Sequence, residues 1–304
     1  MSSFGLAASE GSAFNPSMNF ADTLTIESRI TLNSGHQIPC MGFGTSSLRN
    51  AEEACNEAIK IGYRHLDSAQ SYGTEAAVAQ AAQKWWDFAF ESGWESIFLT
   101  TKIPGTKHGK EACEEALRES LVHTANKPWD LVLLHEPLSE PNKRHQAYAV
   151  LAEAQKKGDV KSIGVSNFGV HHLEELQKAG VGPLPAVNQL ELHPWFQQKS
   201  IVDYCQRNNI LLQAYCPLAQ GKHMSDETLV KIAGKANNTP AQVLLRWSLQ
   251  KGFVPLPQSN DPQHMMENTN IFDFKLSSED MSELDKLDQG KDGAVAWTPQ
   301  LSEP

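Results

Sequence analysis

The sequence predicts a single (β/α)8 barrel preceded by a β-hairpin. Short apolar runs alternate with amphipathic helical segments eight times between residues 29 and 290. That rhythm, over about 250 residues, is the one this fold requires. The apolar runs at 65–67, 97–102 and 131–135 also each finish on a polar group, Asp67, Lys102 and His135. Parallel barrels carry their chemistry at the C-terminal ends of their strands. The alternative, a doubly wound sheet, would offer a GxGxxG turn after its first strand. Gly42-Phe43-Gly44-Thr45-Ser46-Ser47 lacks the third glycine.

In chain order, residues 29–32 and 37–38 flank Asn33-Ser34-Gly35-His36, which reads as a hairpin with a glycine-containing turn. Residues 41–44 form a strand and 51–61 a helix stopped by Gly62. A strand at 65–67 and a helix over 74–90 follow, then the strand 97–102 and the helix 110–125. The fourth strand is 131–135, with a helix over 145–157 ended by Gly158. Residues 162–166 are a strand and 170–179 a helix ended by Gly180. Strands at 186–190 and 211–215 enclose a helix at 200–208. Pro240 opens a helix as its first residue, and this runs to 251 before Gly252. Residues 253–256 are the eighth strand, weakened on paper by Pro255 and Pro257, which cannot donate to a ladder. Helices at 261–269 and 278–287 close the pattern. No linker interrupts 29–290, so 29–304 reads as one domain and 1–28 as a flexible N-terminal arm.

The composition narrows the function. With 40% apolar and 20% charged residues the chain is globular. A formal charge of −10 speaks against nucleic-acid binding. The five cysteines are scattered and odd in number, without a CxxC pair, which points to reduced thiols and to no metal site. No run reaches membrane-spanning length, and the first 28 residues lack the basic start and apolar core of a secretory signal. The expectation is a cytoplasmic protein, monomeric or a weak homo-oligomer. HExxH, GxSxG and P-loop motifs are missing. His171-His172 sits on a helical segment and is expected to face solvent.

Singly, a tyrosine or lysine at a strand end is ordinary surface, and a lone histidine is ordinary hydrogen-bonded filler. Asp67, Tyr72, Lys102 and His135 in that order, each after a strand, are not explained that way. Together they resemble the catalytic tetrad of the aldo-keto reductases. Carbonyl reduction needs a hydride, which no side chain can give, so the resemblance implies a nicotinamide cofactor. It implies Tyr72 as proton donor, although a free phenol titrates near pH ~10. Lys102 would lower that value as a neighbouring ammonium, and Asp67 would keep the ammonium charged. His135 would orient the carbonyl through its oxygen.

The resemblance spans residues 29–297. Gly164-Val165-Ser166-Asn167-Phe168 is similar to the family's GVSNF segment, which implies that Ser166 and Asn167 bond the nicotinamide amide. Asn188-Gln189-Leu190-Glu191-Leu192-His193-Pro194 is similar to NQxExHP and places Gln189 on the same amide. Ala214-Tyr215-Cys216-Pro217-Leu218 resembles AYSPL, with Tyr215 stacking on the nicotinamide ring and Leu218 beside it. Two departures stand out. The family's I-P-K-S and a following Arg grip the 2′-phosphate of NADPH; here Leu256-Pro257-Gln258-Ser259 and His264 stand in their place. Ser259 is kept, and Glu267 and Asn268 remain for adenine. An amide forms no charge-assisted bond and a histidine has no bidentate fork. NADPH is the expected cofactor, with preference over NADH weakened. In the substrate pocket, Ser46 replaces a usual aromatic and Glu136 a usual tryptophan. Both suggest a polar or wider carbonyl substrate, unless Glu136 turns to solvent. Trp297 is expected over the pocket in a closing loop. A cofactor-binding sensor or partner subunit is the reading from another class, and an aldose reductase is a substrate variant of the first.

Overall fold

The computed structural model describes residues 24–89 and 96–302. It begins with β1 (Arg29–Thr31) and β2 (Gln37–Pro39), an antiparallel pair with Ile30 opposite Ile38, both buried. The barrel follows as β3 (Phe43–Gly44), α1 (Ala51–Ile61), β4 (His65–Asp67), α2 (Glu75–Ala89), β5 (Phe98–Ile103) and α3 (Lys110–His123). Then come β6 (Trp129–Leu134), α4 (Pro141–Lys157), β7 (Val160–Ser166), α5 (Val170–Ala179), β8 (Val187–Glu191) and α6 (Lys199–Arg207). The chain continues through β9 (Leu211–Tyr215), α7 (Glu227–Ala236), α8 (Pro240–Gln250), β10 (Val254–Pro255), α9 (Pro262–Thr269) and α10 (Ser278–Asp285).

Strands β3 to β10 pair in sequence order, every pair parallel. The sheet closes on itself where Gly42 N–H donates to Pro255 O (3.1 Å) and Gly44 N–H to Pro257 O (3.0 Å). The prolines that weaken the eighth strand on paper therefore serve the seam with their carbonyls. On the other side of the strand, Leu256 still donates to Ala214 O (2.9 Å). The seam needs bare backbone: a Cβ on Gly42 would fall 2.5 Å from His65 Nδ1 and 2.6 Å from Leu256 Cδ2. Strands β5 and β6 are buried at every position, as strands covered on both faces must be. The hairpin closes the opposite end. Its turn bonds to the approach to β8 and to the start of β7, Asn33 Nδ2 to Pro185 O (3.0 Å) and Ser34 Oγ with Ser162 Oγ (2.8 Å).

The helices start and stop for local reasons. Asn50 caps α1 through Glu53 N, and Gly62 ends it at φ +126°. Thr239 and Gln242 form a capping box on α8, with Pro240 first in the helix. Three expectations need correction. Helix α4 begins at Pro141, four residues before His145, because a proline costs nothing at the first helical position. Helix α7 has no counterpart in the sequence reading. His172 is fully buried rather than solvated, since its Nδ1 accepts from Gly169 N–H (3.1 Å) at the start of α5. The second helix was expected to reach Phe90, which lies outside the described residues, as do residues 1–23 of the N-terminal arm.

Candidate active site

Because all eight strands run one way, their C-terminal residues gather at one end of the barrel. Asp67 ends β4, Lys102 lies near the end of β5, and His135 follows β6. Tyr72 comes from a single 3-10 turn after β4, Gln70–Tyr72, which Gly73 ends in the left-handed region at φ +68°. Lys102 is wholly buried and places Nζ 2.5 Å from Asp67 Oδ1 and 2.7 Å from Ser68 O. It also lies 4.8 Å from the centre of the Tyr72 ring. The Tyr72 hydroxyl is 3.3 Å from His135 Nε2. The four expected residues thus form one continuous cluster.

Their electrostatics follow from burial. Burial works against the Lys102 charge, but the attraction of Asp67 and Tyr72 outweighs it and holds the ammonium above its ordinary range. His135 is pushed down to about 3, by burial first and by the Lys102 charge second, so the imidazole is neutral at pH 7. Tyr72 differs from the simple expectation. Burial raises its phenol, and the Lys102 ammonium offsets this only in part. The phenol therefore keeps its proton at neutral pH.

A cavity of about 850 Å³ opens over the cluster. Its walls include Ser166, Asn167, Gln189, Tyr215, Leu218 and Gln258, six of the positions expected to hold a cofactor. Ser166, Asn167, Gln189 and Tyr215 are bonded to the cluster or to one another. Gln189 Nε2 donates to Asp67 Oδ2 (2.8 Å), Asn167 Nδ2 to His135 O (3.0 Å), and the Tyr215 hydroxyl to Asn167 Oδ1 (2.8 Å). Asn167 holds a positive φ of 61°, which asparagine tolerates better than most residues. Ser259, His264, Glu267 and Asn268 are not in this wall but lie beyond it, between β10 and the end of α9. Ser259 Oγ accepts from Asp261 N–H (2.9 Å), His264 is exposed, Glu267 takes a bond from Gln263 Nε2 (3.1 Å), and Asn268 is buried.

On the substrate side, Ser46, Glu136 and Trp297 all line the cavity. Glu136 does not turn to solvent. It is buried, and its Oε1 accepts from Gly105 N–H at 2.5 Å. Burial raises its carboxyl above the ordinary range, with the Gly105 bond pulling the other way. Trp297 stands edge-on to His135 at 6.2 Å between ring centres. The segment that carries it is held by Glu191, whose carboxylate accepts from Val295 N–H (2.6 Å) and Ala296 N–H (3.0 Å). Buried His193 braces the same carboxylate at 2.9 Å. Cys216 also faces the cavity; burial pushes its thiol up to about 11, consistent with a packing role.

Sequence reading missed several members of this site. Ser71 places Oγ 3.2 Å from His135 Nδ1. Gln213 accepts from Gln189 Nε2 at 3.0 Å, and Met224 joins the wall from the loop after β9. Gln213 carried a usable signal, a polar residue inside an otherwise apolar strand. Met224 carried none.

Comparison with known proteins shows the family of the chain. Residues 40–289 match the model of the aldo/keto reductase family. The chain is 39% identical over 281 residues to a glyoxal reductase of Bacillus subtilis (strain 168), covering 90% of this chain and 97% of the relative. An uncharacterized oxidoreductase of Schizosaccharomyces pombe is 35% identical over 283 residues, covering 92% and 99%. Among solved structures, a variant of Gox0644 in complex with NADPH superposes with a TM-score of 0.82 at 35% identity, covering 91% of this chain and 99% of that one. With the family model running from the residues before β3 to beyond α10, and relatives aligned over nine-tenths of its length, this chain belongs to the aldo/keto reductase family.

Proposed function

We propose that this chain reduces small, polar aldehydes or ketones with NADPH, and that Tyr72 delivers the proton. One observation carries the reading: the Tyr72 hydroxyl, still protonated, faces neutral His135 Nε2 at 3.3 Å in the wall of the cavity. A carbonyl oxygen in the cavity, facing both atoms, would accept hydrogen bonds from both. Lys102, held charged against Asp67, stabilises the phenolate that remains after the proton leaves. Ser166, Asn167 and Gln189 present polar groups on the same wall, and Tyr215 a flat ring, so the residues present fit a nicotinamide amide and ring. When bound, the reduced nicotinamide would supply the hydride that no side chain can. Glu136 and Ser46 make the substrate wall polar, and the glyoxal reductase relative supports a small, polar carbonyl. The free state of all five cysteines supports a cytoplasmic setting.

The test is oxidation of NADPH and NADH with a panel of carbonyls that includes glyoxal, for wild type and Tyr72→Phe. Loss of a positioned proton donor lowers turnover by about 10²–10⁴-fold. Turnover that survives in Tyr72→Phe within a factor of three would reject Tyr72 as donor. Higher catalytic efficiency with NADH would reject the cofactor assignment.

A further inference from the structure

Two side chains outside the tetrad face the far nitrogen of His135. Ser71 Oγ lies 3.2 Å from Nδ1, and Glu136 Oε2 lies 3.8 Å from the same atom. Nε2 faces the Tyr72 hydroxyl on the opposite edge of the ring. Burial and the Lys102 charge keep the imidazole neutral, so it carries a single proton. Where that proton sits decides what the ring can do. On Nε2 it points at the place where a carbonyl oxygen would lie and joins the Tyr72 O–H as a second donor. On Nδ1 it leaves a lone pair on Nε2, which repels a carbonyl oxygen.

The two neighbours pull in opposite directions. A hydroxyl can donate to Nδ1 and so keep the proton on Nε2. A carboxylate only accepts, and draws the proton to Nδ1. Glu136 cannot simply swing away, because Gly105 N–H holds its other oxygen at 2.5 Å. Ser71 is the nearer of the two and lies in the same 3-10 turn as Tyr72, so one short segment sets both faces of the ring.

We propose that Ser71 and Glu136 are opposed positioning residues for His135. The Ser71 hydroxyl holds the Nε2–H form that a carbonyl oxygen needs, and the Glu136 carboxylate draws the proton toward Nδ1. Their balance sets the fraction of protein competent for turnover. The consequence for turnover rests on the reductase reading above; the tautomer does not.

Nitrogen NMR of full-length protein labelled with 15N-histidine reads the tautomer directly, with the His135 signals assigned by their loss in His135→Gln. Wild type should show the proton on Nε2. Ser71→Ala should move it to Nδ1 and lower kcat about 10-fold to 100-fold, less than loss of a proton donor would cause. The KM for NADPH should stay unchanged. Adding Glu136→Gln to Ser71→Ala should return the proton to Nε2 and recover most of kcat, because an amide N–H can take the place of the serine donor. Ser71→Thr, which keeps the hydroxyl, should keep the proton on Nε2. A Ser71→Ala protein that keeps Nε2–H and a kcat within twofold overturns the proposal, as does a loss that Glu136→Gln fails to relieve. If the wild type turns over no carbonyl, the reductase reading fails, while the nitrogen shifts still decide the tautomer.

Discussion

The two ends of the proposed cofactor groove are built in opposite ways. At the reaction end, Lys102, Asp67, Gln189 and His135 are buried, and Asp67 bonds both Lys102 and Gln189 through short contacts. At the rim between β10 and α9, Gln258 and His264 are exposed, and the His264–Asp261 pair stands 4.0 Å apart with both side chains more than half exposed. A buried charge that loses its partner is costly, whereas an exposed pair is worth about 0–1 kcal/mol. On the proposed reading, the chemistry is tied to the stability of the barrel, whereas cofactor selection at the rim is free to vary.

Lys102→Met should break the comparison at its strongest point. It leaves Asp67 buried, with Gln189 Nε2 as a remaining donor. Removing one partner of a buried ion pair typically costs about 3–5 kcal/mol. Urea unfolding should show a loss of that order, together with collapse of turnover in whatever folds. A midpoint within error of wild type would mean that the pair contributes no net stability.

Next in size is the response to acid. Burial and the charges of Lys102 and Arg29 push His65 down to about 3, and burial with Lys102 does the same to His135. An unfolded histidine titrates near 6.5, so below that pH the unfolded chain binds protons that the folded chain refuses. The stability linked to these residues is complete above about pH 6.5 and is lost progressively as pH falls toward about 3. Between pH 7 and 5.5 the two together should cost about 2–3 kcal/mol. Urea midpoints across that range should fall, and His65→Asn should flatten the dependence. A flat profile in wild type would show that the two rings are hydrated enough to titrate normally.

The same contrast explains what the sequence could disclose. Strand ends were legible because a barrel strand is a short apolar run whose next polar residue is displayed at the site, as with Asp67, Lys102 and His135. Helix α1 was legible from Asn50 and Gly62. Helix α7 was not, although Asp226 caps it and Leu229, Ile232 and Ala233 are spaced for burial. Two helices separate β9 from β10, and the expected one-for-one alternation concealed the extra one. Gly234 weakened its helical signature further. The surroundings of His135 were illegible for another reason. Ser71 reaches it across 64 positions, and the Gly105 N–H that fixes Glu136 lies 31 positions away, so nothing local marks either contact.

Gln258→Lys makes the smallest expected change and the sharpest test of the rim. Gln258 is exposed and lines the cavity, so a lysine there needs no repacking. Surface substitutions of this kind usually shift stability by no more than about 0.5 kcal/mol. A charge-assisted bond to a phosphate is about twice as strong as a neutral one, a gain of roughly 1–1.5 kcal/mol. That corresponds to about a tenfold rise in the ratio of kcat/KM for NADPH over NADH. Being exposed, the gain should shrink as ionic strength rises. An unchanged ratio at low salt would mean that Gln258 does not face the 2′-phosphate, and cofactor choice would then have to be set elsewhere on the rim. A ratio that rises without any change in kcat would show that selection and chemistry are separable in this barrel, as the exposed rim and the buried centre suggest.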